Sequence, residues 1–248
     1  MAKTAKRRAS RKTVLTIDIG GSHVKVMTDR GRTKRRFVSG PALTARAMVR
    51  QVKALTKDWS YDMISIGYPG PVARNRPAKE PHNLGRGWLN FDFTKAFGRP
   101  TQVVNDALLQ AIGGYDGGRM LFLGLGTGLG AAMIADGVPL PMELAHLPYR
   151  NNNSFEHYVG AGGLKRLGRK RWRKAALDVI ARLVAALQPD YVVLGGGNAD
   201  KVGNLPPNVR LGVNANAFEG GFKLWKRGVL APPPRTQMTG MKRKRRAG

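Results

Sequence analysis

The sequence predicts an α/β protein built from two similar halves. Three observations support this fold class: short apolar strand segments alternate with helical segments, a similar order of segments recurs in the second part, and three glycine-rich turns each follow a strand. Mixed sheets flanked by helices are typical of this class. In such folds ligands bind at the carboxyl ends of strands, so the glycine turns are candidate binding sites.

The first half begins with strands and one helix. Alternating apolar residues predict the strands Thr13–Ile19, Ser22–Thr28 and Lys34–Val38, with a Gly-Gly turn between the first two. Helical spacing of apolar residues predicts a helix over Ala42–Lys57, and a short strand follows at Met63–Gly67. Residues 72–92 are rich in Pro, Gly, Asn and Arg, which indicates a long functional loop.

The second half starts from a strand at Thr101–Val104 and a helix at Ala107–Gly113. The strands Met120–Leu125 and Ala131–Ala135 flank a second glycine turn. The remaining predicted elements are the helix Ala175–Leu187, the strand Tyr191–Leu194 and the helix Asn216–Trp225.

The chain is strongly basic, with 43 Lys and Arg against 15 Asp and Glu and a net charge of +28 over 248 residues. Basic residues without acids at both ends, and a Pro-Pro-Pro run near the carboxyl end, predict four segments. These are a basic disordered arm at 1–12, an N-terminal α/β domain at 13–104, a C-terminal α/β domain at 105–228, and a basic Pro-containing tail at 229–248.

Two internal basic clusters, at 30–36 and 165–174, remain when the ends are set aside. An excess of cations predicts an anionic partner, and nucleic acid, polyphosphate and an acidic membrane surface all fit charge alone. The absence of Cys excludes disulfides, thiolate zinc sites and a Cys nucleophile. No apolar run is long enough to span a membrane, which predicts a soluble, cytoplasmic protein with no membrane partner.

The first glycine turn lies in the segment that runs from Asp18 through Gly20, Gly21 and Ser22 to Lys25. A tight glycine turn leaves backbone N–H groups free to face a phosphate, and the serine and lysine add donors. The aspartate at the strand end can hold Mg²⁺ through water. An ordinary hairpin turn is the alternative interpretation.

The second glycine turn is Gly126-Thr127-Gly128. It matches a loose dinucleotide fingerprint, but the next segment reads as a strand and not a helix, so a phosphate is the better ligand. Asp106 follows a strand and opens a helix. A carboxylate there either caps the helix or accepts a proton from a hydroxyl during phosphoryl transfer.

These features together resemble the ROK (repressor, open reading frame, kinase) family of sugar kinases, and most closely its polyphosphate glucokinase-like branch. The motifs that carry the resemblance stand in family order along the chain: Asp18-x-Gly20-x-Ser22-x-x-Lys25, Gly67-Tyr68-Pro69-Gly70-Pro71, Asn83-Leu84 with Trp88, Asn105-Asp106, Gly124-x-Gly126-Thr127-Gly128, Glu143-Leu144-Ala145-His146 and Gly195-Gly196-Gly197.

The resemblance implies the actin-like ATPase (ribonuclease H-like) fold, with two similar domains around a cleft. It implies that Asp106 is the general base on the 6-hydroxyl of the sugar, and that both glycine turns hold the donor phosphates. Gly195, Gly196 and Gly197 would lie near the nucleoside or the distal part of the donor. The residues implied to bind sugar hydroxyls are Asn83, Asn105, Glu143, His146 and Glu156.

The expected substrates are glucose or a related hexose and an anionic phosphoryl donor, ATP or polyphosphate, with Mg²⁺. The usual glycine before the histidine is Ala145 here, and without Cys no structural zinc is expected. The basic run at 165–174 lines a polyphosphate path or is simply a solvated surface. Family members are commonly dimers, so a homodimer is expected.

Two alternatives stay open at the level of sequence. The protein could phosphorylate another sugar, because sugar choice depends on pocket geometry. It could also be a non-catalytic member of the fold that binds anions, with basic tails that bind nucleic acid without sequence specificity.

Overall fold

The computed structural model describes residues 12–213 and 215–226. The predicted basic arm, apart from Lys12, and the predicted tail lie outside these residues. The strands of the first half are β1 (Val14–Ile19), β2 (His23–Thr28), β3 (Arg35–Val38), β4 (Met63–Tyr68), β5 (Val72–Ala73), β6 (Arg76–Pro77) and β7 (Thr101–Asn105). Those of the second half are β8 (Arg119–Leu125), β9 (Leu129–Ala135), β10 (Val138–Met142), β11 (Tyr191–Gly195) and β12 (Val209–Leu211). The α-helices are α1 (Ala45–Leu55), α2 (Phe93–Phe97), α3 (Asp106–Gly114), α4 (Phe155–Val159), α5 (Ala161–Leu187) and α6 (Asn216–Lys223).

The two halves contain the same sheet. The first five-stranded sheet has the order β3-β2-β1-β4-β7, and the second has the order β10-β9-β8-β11-β12. In each sheet the first three strands in sequence pair antiparallel, a fourth strand pairs in parallel with the first, and a fifth pairs in parallel with the fourth. The predicted α/β class with two similar halves is therefore confirmed.

Burial explains why these segments form their elements. Strand β1 is apolar on both faces, as a central strand covered on each side must be. Helix α1 buries Ala45, Met48, Val49 and Val52, which recur at the spacing of one helix face, and its N-cap Thr44 accepts a hydrogen bond from the N–H of Ala47.

Helices cover both faces of each sheet. Helix α1 packs on one face of the first sheet and α5 on one face of the second. Helices α3 and α6 lie between the sheets, where α3 packs on the second sheet and α6 on the first. Each half is therefore a helix–sheet–helix sandwich, and the two sandwiches meet at α3 and α6.

Helix α6 returns the end of the described chain to the first half. The hydroxyl of Ser65 on β4 donates a 2.6 Å hydrogen bond to the carbonyl of Gly221, and the indole N–H of Trp225 donates to the Ser65 hydroxyl at 2.9 Å. The domain boundary expected near residue 104 stays a prediction, and the structure adds that α6 crosses it to pack on β1 and β4.

Several elements differ from the sequence expectation. Helix α5 begins at Ala161 and not at Ala175, so the basic run at 165–174 is helical. Residues 72–92 contain a short β5–β6 hairpin within the predicted loop. Strand β10 was not predicted, because its two prolines argue against a strand; both lie on an edge strand, where proline is tolerated. In the part of the chain described, none of the helices has the length and hydropathy needed to cross a membrane.

Candidate active site

The carboxyl ends of three parallel strands bring the first candidates together. Asp18 on β1 pairs in register with Gly67 on β4, which pairs with Val104 on β7. Asn105 and Asp106 follow directly, so Asp18 and Asp106 lie at the same edge of the first sheet. This is the edge at which α/β folds bind ligands.

Asn105, and not Asp106, caps helix α3. The Oδ1 atom of Asn105 accepts hydrogen bonds from the N–H groups of Ala107 at 2.9 Å and Leu108 at 3.2 Å. Its Nδ2 donates to the carbonyl of Gly70 at 3.2 Å, which ties the loop after β4 to the helix start. Asp106 is thus the first residue of the helix, although its Oδ1 also accepts from the N–H of Ala107 at 2.8 Å.

The Asp106 carboxyl has a pKa raised to about 7. Desolvation is the largest cause, and the negative charges of Asp18 and then Glu143 raise the pKa further. Hydrogen bonds from the helix backbone lower the pKa but do not offset these effects. A carboxyl that titrates near neutral pH can both accept and release a proton under ordinary conditions.

Glycines at two positions let the start of α3 pack closely against both sheets. A methyl group on Gly67 would lie 2.8 Å from Cδ2 of Leu109 and 3.5 Å from Cα of Asp106. A methyl group on Gly130 of β9 would lie 3.1 Å from Cβ of Ala107. The start of α3 is therefore held between β4 of the first half and β9 of the second, and Asp106 lies where the halves meet.

The first glycine turn joins β1 to β2. The N–H of Gly20 donates to the carbonyl of His23 at 3.0 Å, and the Ser39 hydroxyl donates to the Gly20 carbonyl at 2.6 Å. Lys25 lies opposite Asp18 in the strand pair, with Nζ 3.2 Å from Oδ2. The Lys25 ammonium partly neutralises the Asp18 carboxylate, whose side chain is 14% exposed, and the remaining negative charge raises the pKa of Asp106.

Asn83 lies against the first glycine turn. A methyl group on Gly21 would be 3.3 Å from Cβ of Asn83. The loop that carries Asn83 is held by the Glu80 carboxylate, which accepts N–H hydrogen bonds from Gly87, Trp88 and Leu89 and has a lowered pKa although desolvation opposes the shift. Glu80 was missed by the sequence reasoning, because an acid in a Gly- and Pro-rich segment has no periodic signal.

The ring of Trp88 anchors the same loop. Its side chain is fully buried, and its indole N–H donates to the carbonyl of Leu43 at 3.2 Å. Tyr68 packs against this ring and donates through its hydroxyl to the carbonyl of Lys79 at 2.7 Å. The predicted functional loop is thus fixed to the core around Asn83.

Glu156 lies on the second glycine turn. Its Oε2 accepts a hydrogen bond from the N–H of Leu129 at 3.0 Å, and its carboxylate fills the space that a side chain at Gly128 would need. The N–H of Ala161 bonds to the carbonyls of Gly126 and Thr127, so the α4–α5 junction wraps around the turn. The strand that follows this turn is β9, so the expectation that no dinucleotide-type helix follows it is confirmed.

The glycine triplet packs on the same turn. Gly196 has a φ of 83°, and a methyl group there would lie 2.6 Å from the backbone of Leu125. Asn198, which the sequence reasoning missed, donates through its N–H to the carbonyl of Leu125 at 2.9 Å and through Nδ2 to the carbonyl of Gly126 at 3.3 Å. Its position directly after a glycine triplet is the signal that could have found it.

Glu143 and His146 lie at a short 3-10 helix, Leu144–His146, between Pro141 and Pro148. Both side chains are exposed, and the negative charge of Glu143 raises the pKa of Asp106. The structure therefore groups Asp18, Asp106 and Glu143, places Asn83 on the first turn, and places Glu156 with the glycine triplet on the second turn.

Comparison with known proteins finds relatives that are named as glucokinases. The chain is similar to the polyphosphate glucokinase of Mycobacterium tuberculosis, with 23% identity over 214 residues that cover 77% of this chain and 80% of the relative. It is also similar to the glucokinase of Pyrobaculum calidifontis, with 25% identity over 241 residues, 75% of this chain and 79% of the relative. No family model matches the chain.

Solved structures decide the fold. The inorganic polyphosphate/ATP-glucomannokinase of Arthrobacter sp. strain KM superposes with a TM-score of 0.74 at 23% identity, over 85% of this chain and 96% of that chain. The ROK family glucokinase of Streptomyces griseus, solved with glucose and AMPPNP, superposes with a TM-score of 0.70 at 16% identity, over 86% and 98%.

The chain has the fold of these two solved sugar kinases. The resemblance predicted from the motifs is thereby confirmed, and with it the actin-like ATPase architecture. The two repeated sheets described above belong to the two similar halves, and the start of α3 lies between them.

Proposed function

We propose that this protein is a hexose kinase that transfers a phosphoryl group from polyphosphate or ATP to the 6-hydroxyl of glucose or a related hexose. The observation that carries the proposal is Asp106, a desolvated carboxyl with a pKa near 7 at the junction of the two halves. Named relatives with polyphosphate glucokinase and glucokinase activity support the substrates.

In the proposed mechanism Asp106 accepts the proton of the 6-hydroxyl as the oxygen attacks the terminal phosphorus of the donor. One oxygen–phosphorus bond forms, the bridging oxygen–phosphorus bond of the donor breaks, and the shortened donor leaves with the bridging oxygen. Because the pKa of Asp106 is about 7, the carboxyl can then release this proton to solvent and is ready to accept another.

We assign the sugar to the space beside Asp106, and its proposed contacts are Glu143, Asn83, His146, Glu156 and the remaining N–H of Asn105. Carboxylates and amides suit a hexose because its hydroxyls each donate and accept. A sugar hydroxyl that leaves one of these groups unpaired would cost roughly 1–3 kcal/mol of binding free energy.

The donor phosphates are assigned to the two glycine turns, with Ser22, Lys25 and Thr127 as side-chain donors. Gly195, Gly196 and Gly197 border the second turn and are assigned to the nucleoside or to the distal part of the donor.

Magnesium fits this site without a dedicated protein cage. No group of three or more His, Asp or Glu side chains within the described residues is arranged as a metal site. Mg²⁺ bound with phosphates needs only one or two carboxylates besides water, and Asp18 supplies one beside Asp106. When bound, the ion would neutralise charge that develops on the transferring phosphoryl group.

The test is an assay of glucose 6-phosphate formation with ATP or polyphosphate as donor, in the native protein and in Asp106→Asn. The variant should lose at least about 10²-fold in kcat, because the amide cannot accept the proton. Asp136→Asn, a carboxylate at the β9–β10 turn, is the matched control and should keep full activity. Absence of product from a hexose panel with both donors, or full activity in Asp106→Asn, would contradict the proposal.

A homodimer, a cytoplasmic location and non-specific nucleic-acid binding by the basic ends also remain predictions. Sedimentation of the full chain, and its DNA binding as a function of salt, would test the first and the last.

A further inference from the structure

The first part of α5 carries a dense exposed basic surface, which we call the α5 ridge. It consists of Lys165, Arg166, Arg169, Lys170, Arg171 and Lys174, all exposed. Within residues 12–213 and 215–226, no ion pair involves any of the six. Surface cations are usually interspersed with acids, so six cations without an acidic partner over about 15 Å of helix indicate an anionic ligand.

The α5 ridge begins at the second glycine turn. The N–H of Ala161, the first residue of α5, donates to the carbonyls of both Gly126 and Thr127 at 3.1 Å. Lys165 follows one helical turn later. An anion whose end lies on the Gly-Thr-Gly turn would therefore meet the ridge if it extends along the helix.

A bend changes the direction of the helix within the ridge. Gly168 has φ 71° and ψ 160°, so α5 consists of two helical segments joined at this residue. Arg173, in the second segment, is half-buried with its guanidinium against Gly203, which follows the 3-10 helix that contains Lys201. The second segment is thereby fixed to the loop after the glycine triplet, and that triplet packs on the second glycine turn.

We propose that the α5 ridge binds the distal phosphates of a linear polyphosphate whose terminal phosphate lies at the glycine turns. This inference rests on the proposed kinase function and adds a consequence that the function alone does not require. A donor of three phosphates ends near the start of α5, whereas a long chain continues over Arg169 and Lys170. Affinity for the donor should therefore rise with chain length.

The test compares two triple variants of the full chain. Lys165→Gln/Arg169→Gln/Lys170→Gln removes three exposed cations from the ridge and leaves Arg166, which donates to the carbonyl of His157, and Arg173 in place. The control, Lys34→Gln/Arg46→Gln/Arg50→Gln, removes three exposed cations from the first half and changes the net charge equally.

In the native protein and the control, KM for long-chain polyphosphate should be lower than KM for tripolyphosphate. In the ridge variant, KM for the long chain should rise by about tenfold while kcat and the KM values for tripolyphosphate, ATP and glucose stay unchanged. Equal chain-length dependence in all three proteins, or an equal loss in the control, would overturn the proposal.

A direct binding measurement tests this proposal independently of the proposed kinase function. Fluorescence anisotropy with labelled long-chain polyphosphate should show weaker binding by the ridge variant than by the control, even if no donor supports phosphorylation. If single-stranded DNA at equal phosphate concentration displaces the polymer from the native protein but not from the ridge variant, the ridge is a nucleic-acid surface and the proposal is wrong.

Discussion

The raised pKa of Asp106 suits the proposed chemistry, but it lowers the stability of the folded protein as the pH rises towards 7. Its pKa is about 7 in the folded protein against an ordinary value of 3.8, so the folded state holds its proton more tightly than the unfolded chain does. The stability that this difference supplies is fully present below pH 4 and is lost as pH rises towards 7. Above pH 7 the folded protein carries the desolvated, charged form.

Replacing Asp106 by Asn should therefore stabilise the protein at pH 8 and not at pH 4. The gain is expected to be about 1–2 kcal/mol, because part of the carboxyl surface remains accessible. Thermal unfolding of both proteins at pH 4, 6 and 8 measures it. A difference that does not change with pH would mean that the folded protein does not raise the Asp106 pKa.

The negative charge of Glu143 should affect the pH at which kcat falls on the acid side. Glu143→Gln removes one negative charge that raises the pKa of Asp106, so the acid limb of kcat against pH should shift to lower pH. Glu219→Gln removes an equal charge from α6, where the carboxylate pairs with Arg32, and should leave the limb in place. An unshifted limb in the Glu143 variant would show that the two carboxyl groups do not interact.

At the scale of elements, the crossing of α3 and α6 depends on glycine. A side chain at Gly220 would overlap the carbonyl of Leu109, and one at Gly221 would overlap Thr16 on β1. Adjacent glycines thus let one helix touch a second helix on one side and a strand on the other. Without them the middle layer between the two sheets would have to widen.

Gly220→Ala should cost about 1–3 kcal/mol of unfolding free energy, since the methyl group forces the helices apart. Gly162→Ala on the exposed start of α5, where a methyl group meets nothing within 4 Å, should instead be neutral or stabilising by up to about 1 kcal/mol. Urea unfolding of the two variants checks both signs, and equal effects would mean that the crossing tolerates a wider spacing.

Elements with a strong local pattern could be predicted from the sequence, and those made by context could not. Strand β1 and helix α1 have the expected apolar spacing, and their predicted bounds match within three residues. The start of α5 was missed because three glycines and seven cations conceal its helical pattern, while Trp172 and Ala175 bury its inner face. Strand β12 has three residues and forms only because β11 lies beside it.

The candidate site also has features that could be predicted from the sequence and features that could not. The glycine turns and Asp106 were predictable, because their residue types stand directly after strands. The helix cap formed by Asn105 and the hydrogen bonds from Glu80 to its loop could not be predicted. Both depend on backbone N–H groups that come to lie next to these side chains in the folded chain. Sequence motifs indicate which groups can react, and the structure adds what holds them in position.

At the scale of the whole molecule, α6 makes the stability of one half depend on the other. Ser65 on β4 is fully buried and bonds to both Gly221 and Trp225, so the last helix joins the first sheet through a side chain as well as through packing. The first half is therefore stabilised by a helix that follows the second half in sequence.

Ser65→Ala should leave the Trp225 indole N–H without its hydrogen-bond partner and lower the free energy of unfolding by about 1–3 kcal/mol. Circular dichroism and tryptophan fluorescence should report one shared transition, moved to lower urea in the variant. Ser60→Ala, at an exposed site, should change the free energy of unfolding by less than about 0.5 kcal/mol. Separate transitions for the two signals would show that the halves unfold independently.

The return of α6 also brings the two ends of the described chain together. Val14, near the start of β1, is buried in one cluster with Phe218 and Phe222 of α6. The order of the halves along the gene is therefore not dictated by their arrangement in space. A circular permutant that opens the chain at Gly117-Gly118, between α3 and β8, and joins the old ends by a linker would keep both sandwiches and their shared middle layer.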